Sequence, residues 1–315
     1  MKSIKIAALV ACLAMPAAAT TFGTYSSLVV FGDSLSDPGN AAAALGGAWN
    51  YTAYPTGQFT NANVWAAQLG ATFGSGTNFA VGGATAAASH PPSPTLAQEI
   101  TAFGAAAPSL GANPLTAIWI GGNDFLGLLE SPTPPTAQQV SDTTTAAIGA
   151  IDSGIGQLYA AGLKNFVIFG LPDLGKLPGV VGNPTLSAQV SAISATYNTY
   201  LAGSLAPLAG TLPGATIDYF DINGLFSTVL GNPGAFGITD TTTPCVVAGT
   251  VCSDPNTHLF YDSVHPTQPV HTLIADTFRA TYAPVAPVPL PAGMGLLLGA
   301  VALLGGLGMR KRSWT

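Results

Sequence analysis

The sequence predicts an α/β fold, a central parallel sheet with helices on both sides. Two observations carry this: short apolar runs that end in Gly- or Pro-rich turns, and longer stretches of helical periodicity between them. The first run, Leu28-Val29-Val30-Phe31, passes into Gly32-Asp33-Ser34 and reads as a buried strand delivering a turn. Thr116 to Ile120 and Phe166 to Phe169 are runs of the same kind, and Ala215 to Ile222 is another. Between them Val140, Ile148, Ile151, Ile155 and Leu158 share one helical face, as do Val190, Ile193, Tyr197, Leu201 and Leu205. Strands separated by helices pair in parallel, and ligands of such sheets collect at the carboxyl ends of the strands.

The composition narrows what the chain can do. Of 315 residues only 7% are charged and 48% are hydrophobic, while 38 Gly and 25 Pro indicate a loop-rich chain with enough apolar residues for a large core. The net charge is -6, and the 8 Lys and Arg form no run in the central region, which removes the electrostatic basis for a nucleic-acid partner. Neither a Cys-x-x-Cys pair nor His-Glu-x-x-His occurs, so no metal or cofactor is expected.

Both ends read as addressing segments. Lys2 and Lys5 precede an apolar run from Ile6 to Ala14, and Ala17-Ala18-Ala19 supplies small residues for signal peptidase, giving a signal peptide over 1–19 and an exported chain from Thr20. Residues 20–283 contain no repeat or linker and form one expected domain. Residues 284–291 are a stiff Pro-rich spacer. The tail over 292–315 has no charge from Ala292 to Met309, a helix of about 27 Å that would nearly span a bilayer, and ends on Arg310-Lys311-Arg312. In an oxidising compartment Cys245 and Cys252 are expected to form a local disulfide contributing about 2 to 3 kcal/mol.

Four separated segments carry chemistry-bearing residues. In Phe31-Gly32-Asp33-Ser34-Leu35-Ser36, a serine just beyond a buried strand can hold its hydroxyl at a cleft mouth. In Asn78-Phe79-Ala80-Val81-Gly82-Gly83-Ala84-Thr85, paired glycines allow a bare backbone N–H to face a developing oxyanion. In Trp119-Ile120-Gly121-Gly122-Asn123-Asp124, Asn123 offers a side-chain donor of the same use. In Tyr261-Asp262-Ser263-Val264-His265-Pro266-Thr267, an aspartate three residues before a histidine can fix its tautomer while the other ring nitrogen faces a nucleophile. Each segment by itself could be a turn or a helix cap. His90, His258 and His271 lack comparable company and read as loop or surface residues. The stretches Asn40 to Tyr54 and Asn223 to Thr250 are expected to shape the pocket.

Together the four segments resemble the GDSL, or SGNH, hydrolases, from Phe31 to Thr267 and in family order. Gly57-Gln58-Phe59-Thr60-Asn61-Ala62-Asn63-Val64-Trp65 and Phe169-Gly170-Leu171-Pro172-Asp173-Leu174-Gly175 are similar to segments of the FGDSL lipase and esterase branch. Gln58 departs from that branch, which usually has a basic residue there. The resemblance implies a three-layer α/β/α sandwich and an exported serine esterase or lipase, with Ser34 as nucleophile, His265 as general base and acid, and Asp262 as its orienting partner. It implies oxyanion donors from the Ser34 N–H, the Gly83 N–H (Gly82 one residue earlier is the alternative) and the Asn123 side chain. The implied partner is a small or lipid ester. Val288-Pro289-Leu290-Pro291-Ala292 with the tail resembles VPLPA or PEP-type sorting signals, which implies an exosortase-like sorting enzyme and a membrane-held or surface location. The competing expectation is a non-catalytic surface binding protein on the same scaffold. A Gly-x-Ser-x-Gly elbow is ruled out at Ser34 by Ser36.

Overall fold

The computed structural model describes residues 22–50, 52–88, 91–129 and 134–283. The expected signal peptide, Pro-rich spacer and C-terminal tail, and His90, lie outside the described residues. In chain order the elements are β1 (Leu28–Gly32), α1 (Asn40–Leu45), α2 (Trp65–Gln68), α3 (Leu96–Ala106), β2 (Leu115–Trp119), α4 (Gly122–Leu129), α5 (Ala137–Ala160), β3 (Asn165–Phe169), α6 (Pro178–Val181), α7 (Pro184–Thr211), β4 (Thr216–Phe220), α8 (Ile222–Gly231), β5 (Val246–Val247), β6 (Thr250–Val251) and α9 (Gln268–Tyr282). Among the described residues no helix is long and apolar enough to cross a membrane.

The main sheet is parallel throughout, in the order β1-β2-β3-β4, with Val30 opposite Ala117, Ala117 opposite Val167 and Val167 opposite Asp218. β1 and β2 are buried along their whole length, as parallel strands covered on both faces must be, whereas the edge strand β4 is largely exposed. The open edge of β1 is taken by residues 77–81: the Val30 N–H donates to the Thr77 carbonyl at 2.8 Å, the Phe79 N–H to Val30 at 2.8 Å and the Val81 N–H to Gly32 at 3.0 Å. The chain therefore leaves β1 first to one side, then returns to build β2 to β4 on the other. Right-handed crossovers in opposite directions put their helices on opposite faces. Accordingly α2 packs on α9, while α3, α5 and α7 pack side by side.

Helix starts follow from local chemistry. Thr95 with Gln98, and Thr136 with Gln139, form capping boxes at α3 and α5, and Asn183 caps α7 ahead of Pro184. The stripes expected on α5 and α7 face inward: Ile148, Ile151, Ile155 and Leu158 are buried on the first, Val190, Tyr197, Leu201 and Leu205 on the second. On the other face Trp119 stacks on Phe169 at 5.0 Å between ring centres, and Trp65 and Phe278 meet at 4.9 Å. Full burial of such a ring contributes about 2 to 3 kcal/mol.

His271 corrects an expectation. It lies in α9, is wholly buried, and its Nδ1 accepts the Trp65 N–H at 3.3 Å. It shares the inward face of α9 with Ile274, Ala275 and Phe278, and the helical spacing decides burial where the lack of company like that of His265 suggests the surface. Burial, with the nearby charge of His265, pushes its pKa down to about 3, so the ring is neutral. His258 is a half-buried loop residue whose Nδ1 lies 2.9 Å from the Thr243 carbonyl.

Candidate active site

The reversal of direction at β1 opens a crevice at the carboxyl end of the sheet, between the turn after residue 81 and the end of β2. Ser34 sits there, two residues beyond β1. The turn needs Gly32: a Cβ there would lie 2.2 Å from the Trp119 carbonyl oxygen. The Gly32 N–H donates to Glu99 Oε2 at 2.9 Å, and the Val81 N–H to Glu99 Oε1 at 3.2 Å, so one buried carboxyl from α3 ties the two strand ends together. Asp37 does the same one layer out, accepting from Gly39, Asn40, Ala41 and Gly82 at 2.6 to 3.1 Å. Burial raises the pKa of both acids.

His265 reaches Ser34 across 231 residues of sequence. Its Nε2 is 2.7 Å from Ser34 Oγ, and its Nδ1 is 2.7 Å from Asp262 Oδ2. With Nδ1–H donating to the carboxylate, Nε2 is left to accept the serine hydroxyl. The turn that carries the pair is closed by the Tyr261 N–H to the His265 carbonyl at 2.7 Å, and Asp262 Oδ1 accepts the N–H groups of Val264 and His265 at 2.9 and 2.8 Å. Thr60 pins the turn through its hydroxyl to the Pro266 carbonyl at 3.0 Å, and Phe59 lies against the imidazole at 5.0 Å.

The electrostatics favour an ionised Asp262 and a more basic His265. Burial alone would raise the Asp262 pKa, but the charge and hydrogen bond of His265 and two backbone N–H groups hold it well below the usual carboxylate range. Burial alone would lower the His265 pKa, and the Asp262 carboxylate, helped by Asp33, lifts it above 6.5. Asp33 is itself buried beside Ser34, and loss of solvation pushes it up to about 7 against the hydrogen bond it accepts from Leu35.

The three expected donor residues, Ser34, Gly83 and Asn123, line one cavity. Among the described residues the N–H groups of Ser34 and Gly83 have no acceptor, whereas that of Gly82 is taken by Asp37 at 2.7 Å. Gly83 has φ +79°, and a Cβ there would lie 2.4 Å from Ser93 Oγ. Asn123, in the first turn of α4, gives one amide hydrogen to the Ala84 carbonyl at 2.8 Å. Its second hydrogen is left for the cavity that Asn123 lines together with Ser34, Gly83 and His265. Asp124 holds the facing loop through the N–H groups of Ala86, Ala87 and Ala88 at 2.7 to 3.1 Å.

The cavity measures about 230 Å³ and is mainly apolar, walled by Phe59, Leu126, Leu171, Leu177 and Val264. A smaller pocket lined by Phe226, Leu230 and Phe260 shares Leu35, Pro172, Leu177 and Val264 with it. This corrects the expected pocket walls. Of 223–250 only Phe226, Ser227 and Leu230 of α8 take part, and among the described residues of 40–54 none lines either pocket: Asn40 bonds the Asn78 and Ala80 carbonyls, and Tyr54 bonds Asp262. Glu99 and Asp37 are functional supports that the motifs do not mark. An acid inside the apolar stripe Leu96, Ile100 and Phe103 was the available signal for Glu99. Gln58 is buried and makes neutral bonds to the Asn63 side chain and the Val64 N–H at 3.1 and 2.7 Å. Cys245 and Cys252 are bonded to each other beside the β5–β6 hairpin. Among the described residues no cluster of His, Cys, Asp or Glu could hold a metal ion.

Residues 28–278 match the family described as GDSL-like Lipase/Acylhydrolase. The chain is 32% identical over 239 residues to a phosphatidylcholine-sterol acyltransferase of Aeromonas hydrophila, covering 72% of this chain and 68% of that protein. It is 27% identical over 192 residues to a GDSL esterase/lipase of Arabidopsis thaliana, and 30% identical over 173 residues to another, spanning about half of each plant protein.

Proposed function

We propose, for a chain that belongs to the GDSL-like lipase and acylhydrolase family, that it is an exported serine hydrolase of acyl esters working through an acyl-serine intermediate. One observation carries this reading: the unbroken line Asp262 Oδ2, His265 Nδ1, His265 Nε2, Ser34 Oγ, with both gaps at 2.7 Å, at the mouth of an apolar cavity. Ser34 Oγ attacks the ester carbonyl carbon while His265 Nε2 takes its proton. The oxyanion is met by the N–H groups of Ser34 and Gly83 and by the Asn123 amide. As the tetrahedral species collapses, the C–O bond to the alcohol breaks and the alcohol leaves with the proton from Nε2. Water, deprotonated by the same nitrogen, then releases the acid and restores the Ser34 hydroxyl.

The cavity supports a lipid-like acyl group. At about 230 Å³, with walls that are mainly apolar, it has room for an aliphatic chain and few groups to bind a polar one. The name of the Aeromonas relative supports a second fate for the acyl-enzyme, transfer to an alcohol in place of water. Signal peptide, Pro-rich spacer and sorting tail complete the reading: the domain acts outside the cytoplasm, held at least for a time at the membrane until an exosortase-like enzyme cuts near Val288.

The test is labelling with a fluorophosphonate probe and turnover of p-nitrophenyl esters. Wild type is expected to label and turn over, and Ser34→Ala to do neither; labelling retained in that variant removes Ser34 as nucleophile. Absence of turnover and labelling in the wild type would favour a non-catalytic binding protein.

A further inference from the structure

Asp262 Oδ2 accepts two hydrogen bonds of equal length. One comes from His265 Nδ1 at 2.7 Å, the other from the Tyr54 hydroxyl at 2.7 Å. With Oδ1 accepting from the N–H groups of Val264 and His265, four donors occupy the four lone-pair directions of the carboxylate. It has no freedom left to rotate. Tyr54 comes from a loop 208 residues earlier and is itself firmly held. Its carbonyl accepts the Trp49 indole N–H at 3.2 Å, its ring meets Trp49, Phe59 and Tyr261 at 5.6 to 6.1 Å, and the Tyr261 hydroxyl bonds the neighbouring Ala53 carbonyl.

We propose that Tyr54 is a positioning residue for the Asp262–His265 pair, locking the carboxylate and drawing off part of the charge it presents to the imidazole. Burial and the Asp262 charge raise the Tyr54 pKa, so its hydroxyl stays a donor throughout the working range of His265. Tyr54 does not line the substrate cavity and acts only through Asp262. The groups facing the pair are Ser34 and Asp33 beyond β1, Tyr54 and Tyr261 behind it, and His271 in α9. Of these only Tyr54 gives its hydrogen to the carboxylate oxygen that holds Nδ1. When that donor is removed, Oδ2 offers more charge to the imidazolium, so His265 keeps its proton to higher pH and the base form appears later.

This inference rests on the serine-hydrolase reading, which turnover lost in Ser34→Ala establishes separately. The experiment is Tyr54→Phe in the full chain, with kcat and KM on a p-nitrophenyl ester followed from pH 5 to 9. The expected result is a kcat lower by about tenfold, as for loss of a bond to a charged group, an unchanged KM, and an acidic limb of kcat/KM moved to higher pH. The downfield proton signal of His265 Nδ1–H should also shift, and this readout needs no substrate. If the phenylalanine variant does not fold, 3-fluorotyrosine placed at position 54 keeps ring and hydroxyl while donating more strongly, and the acidic limb should move to lower pH. A limb that stays in place or moves the other way, or a loss confined to KM or thermal stability, overturns the proposal.

Discussion

Replacing Asn123 by alanine separates activity from stability. The Asn123 amide has two hydrogens: one is bound to the Ala84 carbonyl at 2.8 Å, the other is left for the cavity floor where the ester oxygen would become charged. The first bond is partly buried, and its loss costs about 1 kcal/mol, which lowers the melting temperature of a domain of this size by about 2 to 4 °C. Against a stability of about 5 to 15 kcal/mol the variant stays folded. In the proposed mechanism the second hydrogen acts on the transition state alone. Losing one such donor lowers kcat by about 10²- to 10³-fold, or about 2.7 to 4 kcal/mol. The two effects therefore differ severalfold in free energy and appear in different measurements. Steady-state kinetics on p-nitrophenyl butyrate give kcat, a thermal melt gives stability, and the final extent of fluorophosphonate labelling counts intact Ser34. Asn123→Asp should be slower still, since a carboxylate cannot donate and repels the oxyanion. A kcat for the alanine variant within threefold of wild type, at full labelling, would remove Asn123 from the oxyanion site.

Two further outcomes follow from the pocket and its buried acid. Leu177→Ala joins the 230 Å³ cavity to the pocket under Phe226, Leu230 and Phe260, so the preferred acyl chain should lengthen, each added buried methylene being worth up to about 0.8 kcal/mol, or roughly fourfold in kcat/KM. An acyl-length series with an unmoved optimum would refute that wall. Asp33→Asn removes a carboxyl pushed up to about 7 beside His265. Without its charge His265 loses its proton at lower pH, so the acidic limb of kcat/KM should move down, opposite to Tyr54→Phe. Native Asp33 keeps its proton between about pH 4 and 7 while the unfolded chain has lost it, so its contribution to stability is present below about pH 4 and lost as pH rises through 7. The variant should gain on wild type across that window, by at most about 4 kcal/mol in denaturant titrations. Parallel stability curves for the two proteins would contradict it.

Local pattern made most of the scaffold legible. Val29, Val30, Ala117 and Val167 lie in strands covered on both faces, so continuous apolar runs announce them, and the stripes on α5 and α7 repeat at helical period because one face of each must be buried. Ser34, Gly83, Asn123 and the Asp262–His265 turn were likewise visible as residue types in local segments. What the sequence could not supply was the set of partners that topology brings together from far apart. The reversal at β1 brings Gly83 and Asn123 into one cavity with Ser34, and there Asp37 takes the Gly82 N–H and leaves that of Gly83. Tyr54 on Asp262 has no local signature, and although helical spacing could mark Glu99 and His271 as buried, only their partners 67 and 206 residues away define what they hold. The Ser34 hydroxyl owes its poise to that same long-range closure: the chemistry of the groups is local, whereas the 2.7 Å gaps between them are set by the packing of the whole sheet and its helices.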